Sequence, residues 1–231
     1  MLNKNKFRLV TNILAGAIKL WLRTQVSNIE QLQIDIQATA SQIFSGRIPS
    51  VSIVAKSAVY QGLHLSFVDL VAKNIRINIG SILKGEQLKL LETVPVFGEL
   101  SQQEADLSAS LSSTLLSTTL NDVLVKLLSE HDPNSKSTTS WQKVTIKKGE
   151  IVIYAIREEE NHFQPLDICI GLNLLSPHEL RIAPIKVTKD TITLFESTDG
   201  EYIDLGSDVE IQDLQLLPGK LLIRGLINVN P

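Results

Sequence analysis

The chain has 231 residues, 43% of them hydrophobic, with 22 basic and 25 acidic side chains and a net charge of −3, a balance that excludes a disordered chain and provides ample core material for a β-rich domain. The single cysteine, Cys169, excludes an intrachain disulfide and a cysteine metal cluster. With 5% aromatics and an acidic body, the chain lacks the stacking platforms and basic faces that nucleic acid requires, so no nucleic-acid partner is expected.

Lys4, Lys6, Arg8, Lys19 and Arg23 all precede the first acid, Glu30, leaving 17 basic against 25 acidic residues for the remainder. A basic segment on an acidic body matches an anionic membrane surface, where each cation near the headgroups contributes about 1 kcal/mol. Phe7 to Val26 has the basic start of a secretory signal. Asn12 and Lys19 interrupt its apolar run, however, no small-residue cleavage site follows, and the 14 residues from Leu9 to Leu22 are too few to span ~30 Å of hydrocarbon. The spacing predicts an amphipathic helix within residues 1–28. Arg8, Asn12, Lys19 and Arg23 form one stripe, and Phe7, Val10, Leu14, Ala17, Ile18 and Trp21 a broad apolar face. That face either packs on a sheet or lies in a membrane interface, with Lys4, Lys6, Arg8, Lys19, Trp21 and Arg23 as contacts. Attachment to the cytoplasmic side of a membrane is expected, with export as the alternative.

Residues 29–100 read as a first β region. Leu32, Ile34, Ile36 and Ala38 alternate, then Val51, Ile53 and Ala55, then Leu63, Leu65 and Phe67, then Ile75, Ile77 and Ile79, each set on one face of a strand. Gly46 and Pro49 interrupt the ladder, and turns are expected at Gln61-Gly62 and Lys84-Gly85. The connections are too short for helical crossovers, so the strands form an antiparallel meander. Val94-Pro95-Val96-Phe97-Gly98 reads as an apolar loop whose Phe97 meets a bilayer. Ser101 and Glu104 have capping-box spacing and predict a long helix over 101–130, with Leu107, Leu111, Leu115, Leu120, Leu124 and Leu128 on its apolar stripe. Eight of the twelve residues from Ser108 to Thr119 are Ser or Thr, mediocre helix formers that need tertiary support. Residues 131–140 form a polar loop, and 141–231 a second β region with hairpins at Lys148-Gly149 and Asp199-Gly200. Leu221, Ile223, Ile227 and Val229 predict a closing strand paired inside a sheet.

No chemistry-bearing constellation emerges. The histidines, His64, His131, His162 and His178, are isolated and predict no metal site, and no glycine-rich phosphate loop or nucleophile elbow occurs. Cys169 lies between isoleucines as packing, and Glu158-Glu159-Glu160 reads as a solvated turn. No catalytic residue, cofactor or enzymatic activity is expected.

The order of elements, with Ser45-Gly46-Arg47-Ile48-Pro49-Ser50-Val51, Gly62-Leu63-His64-Leu65-Ser66, Asn74-Ile75-Arg76-Ile77, Ser101-Gln102-Gln103-Glu104-Ala105 and Pro218-Gly219-Lys220-Leu221, resembles the bacterial LmeA-like phospholipid-binding family over nearly the whole chain. The resemblance implies a single α+β domain of tubular lipid-binding (TULIP-like) type, in which a strongly curved antiparallel sheet wraps a long helix around an apolar tunnel. It also implies a non-enzymatic phospholipid- or glycolipid-binding, lipid-transfer function. On that expectation Ile53, Leu65, Phe67, Ile77, Leu111 and Leu115 are the candidate tunnel residues, and pairing of two chains is left open. The alternative is a membrane-associated scaffold with a packed interior, anchored by its N-terminal helix.

Overall fold

The computed structural model describes residues 2–128, 138–159 and 162–231, with side chains from Thr11 onward apart from Gln25 and Glu159. The side chains of Lys4, Lys6, Phe7, Arg8 and Val10, the residue His131 with most of the 131–140 loop, and Glu160 therefore lie outside the described residues.

Helix α1 (Leu2–Gln25) leads into β1 (Asn28–Gln37), the short α2 (Ala40–Phe44), β2 (Arg47–Tyr60), β3 (Leu63–Arg76), one helical turn α3 (Ile79–Ile82) and β4 (Val94–Gln103). Two helices follow, α4 (Glu104–Ser110) and α5 (Thr114–Leu128). The remainder comprises β5 (Thr138–Lys147), β6 (Glu150–Glu159), β7 (His162–Ser176), β8 (Glu179–Lys189), β9 (Ile192–Ser197), β10 (Glu201–Asp204), β11 (Val209–Leu217) and β12 (Lys220–Val229). The first sheet has six strands in the order β1-β2-β3-β4-β12-β11, and the second has the order β10-β8-β7-β6-β5 with β9 also on β8. Every pairing is antiparallel. The architecture is α+β, and the meander follows from strands rich in Val and Ile joined by tight turns.

Several expectations are corrected. Phe67 and Ile75 belong to one 14-residue strand, β3, rather than to two, and Ile79 starts a helical turn. Pro49 does not end a strand, because it sits in β2 where the ladder skips a pair, between Ile48↔Ile75 and Ser50↔Lys73; a missing N–H is tolerated at such a gap. Val94 to Gly98 is no loop but the first half of β4, a strand flanked by β3 and β12. The helix expected over 101–130 is two shorter ones. Ser101 is buried in β4, and helix starts only at Glu104. Asp199-Gly200 does not close a hairpin either, since β9 and β10 both pair with β8 and not with each other.

Two separate clusters of buried side chains form the core. One gathers Leu111, Leu124, Leu127 and Leu128 of the α4–α5 region with the second sheet and with Leu216 and Leu221 of the first. The other gathers Leu14 and Ile18 of α1 with Ile43, Ile48, Val51, Ile75, Ile77, Ile82 and Val94. The sheets are also joined through their turns. Gly219 N–H donates to the Ile146 carbonyl at 2.8 Å and Gly149 N–H to that of Leu216 at 3.1 Å, while Glu104 N–H, at the start of α4, donates to the carbonyl of Gly219 at 3.1 Å within the first sheet.

Candidate functional site

Alternation along the first sheet turns Val51 and Ile53 of β2, Leu70 and Ala72 of β3, and Val94 and Val96 of β4 toward one face. The register places them in rows, with Val51 opposite Ala72 and Ala72 opposite Val96. Helix α1 crosses this face with Leu14 fully buried and Ile18 nearly so, while Asn12, Lys19 and Arg23 point to water. The described members of the predicted stripe thus face solvent, and Leu14 and Ile18 of the predicted apolar face meet a sheet.

Between helix and sheet lies a cavity of about 210 Å³ whose lining contains only apolar and aromatic side chains. Leu14, Ile18, Trp21 and Leu22 of α1 form one wall, the strand residues the opposite one, and Leu88 and Leu90 a third. The third wall depends on Asn78. Its side-chain amide donates to the Gln87 carbonyl at 2.9 Å and accepts from Lys89 N–H at 2.8 Å, while Ile77 bridges Leu90. These bonds hold an irregular segment against the cavity at the cost of no exposed backbone donor at Lys89.

Among the candidate tunnel residues, Ile53 and Ile77 line the cavity. Leu65 and Phe67 lie farther along β3, outside its lining. Leu111 is buried in the other cluster, and Leu115 is half-exposed on α5. Trp21, expected at a membrane, is a half-buried wall of the cavity. Phe97 points away from Val96 to the opposite face of the sheet, where the Lys73 ammonium stands 5.4 Å from its ring centroid; this cation–π contact gives the ring a local partner. Sequence reasoning missed the contribution of Leu70, Ala72 and Ile75. The alternation of Leu70 and Ala72 with Asp69 and Lys73 was the available signal.

The end of the sheet carries a second, polar recess of about 690 Å³, lined by Ser41, Gln42, Ser45, Arg47, Asn74, Arg76 and Glu92 with Ile48, Pro49 and Ile75. Arg76 pairs with Glu92 at 3.1 Å. Elsewhere, Cys169 shares a cleft of about 340 Å³ with Glu150, Lys186 and Glu196. Burial, reinforced by a hydrogen bond to Glu150, pushes its thiol up to about 11, the reverse of what activates a nucleophile. No described helix is long and apolar enough to cross a membrane.

The apolar chamber beneath a helix can take up hydrocarbon and offers no polar side chain to orient a reacting group. Comparison with curated proteins and with solved structures gave no match. A family model does match, and over residues 8–225 it covers most of α1, both sheets up to the middle of β12, and the cavity lining apart from Val229: the chain belongs to the LmeA-like phospholipid-binding family.

Proposed function

We propose that the protein binds a phospholipid by taking part of an acyl chain into the cavity beneath α1, and that it carries the lipid to or from a membrane surface without chemical change. The observation that supports this reading is the wholly apolar lining on three walls. An apolar cavity of roughly 150 Å³ stays dry and takes up benzene, so 210 Å³ suits a short run of methylenes. Each buried methylene contributes ~0.8 kcal/mol, and about six would give ~5 kcal/mol before the cost of ordering the chain. A complete lipid requires more room, which outward movement of α1 supplies. A longer apolar tunnel, forming as α1 moves, is part of the same proposal. Lys19 and Arg23 on the outer side of α1 are then placed to meet anionic headgroups as the helix moves.

The test is native mass spectrometry of the full chain after incubation with phosphatidylglycerol vesicles, comparing wild type with Ala72→Phe. Ala72 lies between Val51 and Val96 in the ladder, so a phenyl ring there fills the cavity. One lipid per chain is expected on the wild type, reduced about tenfold or more in a variant with unchanged circular dichroism, a loss equivalent to ~1.4 kcal/mol. A wild type that stays empty would favour the scaffold alternative.

A further inference from the structure

Arg47 opens β2 and Arg76 closes β3, and the two are direct cross-strand partners. Like charges in that position repel. Glu92 offsets only one of them, through Arg76, so the recess that holds all three has a net charge of +1 on a body that is otherwise acidic. Arg47 has no hydrogen-bond or carboxylate partner among the described residues, and the side chains of Ser41 and Asn74 make no hydrogen bond among them either. Arg76 uses one terminal nitrogen on Glu92, which leaves further donors of its five. Guanidinium, hydroxyl and amide donors thus converge on one recess at the end of the sheet. Its wall is shared with the apolar chamber, because Ile48 and Ile75, the next residues along the two strands, line both.

We infer that this recess is a phosphate-binding subsite, with Arg47 as its principal ligand and Arg76, Ser41 and Asn74 as supporting donors. A tetrahedral phosphate ester presents several acceptor oxygens to donors arriving from different directions, and guanidinium groups bind it in a fork. This inference rests on the lipid-binding reading for its physiological occupant. A lipid whose chain enters beneath α1 has its glycerol and phosphate at the end of the sheet, beside the shared wall. A free phosphate ester has the same chemistry and is the other source.

The experiment follows Trp21 fluorescence in the full chain, with Trp141→Phe in every sample so that Trp21 alone reports, during titration with phosphatidic acid and with diacylglycerol of identical acyl chains, with and without Arg47→Gln. A parallel titration uses inorganic phosphate alone, followed by calorimetry. Arg47→Gln keeps the Arg76–Glu92 pair intact and lies outside the apolar lining. The wild type is expected to prefer phosphatidic acid by about tenfold or more, the ratio falling to within about twofold in the variant while diacylglycerol affinity is unchanged. Loss of inorganic phosphate binding in the variant, without any lipid preference in the wild type, would retain the subsite and assign it to a free phosphate ester. If Arg47→Gln alters neither the lipid ratio nor phosphate binding, the subsite is refuted. Failure of diacylglycerol to bind the wild type would instead count against the acyl chamber, with the phosphate titration still deciding the recess.

Discussion

At Gly200 the chain bends between β9 and β10 with φ +65°, and a Cβ there would overlap the carbonyl oxygen of Ile182 in β8. Both the left-handed conformation and the close approach require glycine. Gly200→Ala is expected to lower unfolding free energy by about 3 kcal/mol, read from urea denaturation; a midpoint equal to wild type would mean that the strands do not run in line along β8. Cys169 permits a second test at the same scale. With its thiol pushed up to about 11 from 9.0 by burial first and by Glu150 second, the thiolate is rare near neutrality. Alkylation by iodoacetamide at pH 8 should run about a hundredfold slower than for a free thiol. The rate should climb until the pH nears 11, whereas a rate matching a small-molecule thiol would contradict the half-buried placement beside Glu150.

At the level of elements, capping chemistry separates α2 from α4. Thr39 and Gln42 make a true capping box: Thr39 N–H donates to Gln42 Oε1 at 2.7 Å and Gln42 N–H to Thr39 Oγ1 at 3.4 Å. This orders a five-residue helix that buries Ile43 completely. Thr39→Ala should cost ~1 kcal/mol, seen as a lowered denaturation midpoint at unchanged slope; no shift would mean that Ile43 alone holds α2. The same spacing at Ser101 and Glu104 carries no cap. There Glu104 Oε2 accepts Ile146 N–H at 2.8 Å, tying α4 to β5, while Ser101 continues a strand. A capping motif in sequence states which bonds two side chains are able to make; only the neighbouring strand decides where a carboxylate goes. Alternation, by contrast, located most strands, because each is half-buried and its period is a direct consequence of that burial. It could not reveal that β3 continues through Asn74, whose φ of +55° absorbs a break in the pattern. The cavity was legible only in fragments, Ile53 and Ile77, since its walls come from α1, four strands and a loop that meet only in three dimensions.

For the whole molecule, the strand nearest the C-terminus is an interior strand of the first sheet. β12 lies between β4 and β11 and pairs from Lys220 through Val229. Removal of residues 220–231 strips β11 of its ladder, leaves β4 paired with β3 alone, and opens an edge prone to aggregation. The truncated chain is expected to be insoluble or to lack the wild-type far-ultraviolet spectrum; a soluble, folded product would show that β4 and β11 can close on each other. The strand was readable from Leu221, Ile223, Ile227 and Val229, whereas its partner β4 was not, because β4 is distant in sequence; β11, by contrast, precedes it across only the turn at Pro218 and Gly219.

The separation of the core into two clusters, one under α1 and one around α5, has a consequence for the timing of amide exchange. Midway between them Gly98 stands directly opposite Gly225, so β4 and β12 contribute no side chain at that row, and packing across it falls to Leu70 of β3 and Ile211 of β11. A Cβ at Gly98 would come to 2.9 Å from Leu70 Cδ2, leaving little space for a bridging group. Local opening can then be confined to one end. Release of α1 costs only the contacts of its own cluster, and protons on α1 should exchange with solvent well before those of β6 and β7. Under the proposed function, uptake of a guest molecule would proceed by fraying one half of a fold whose other half keeps its structure.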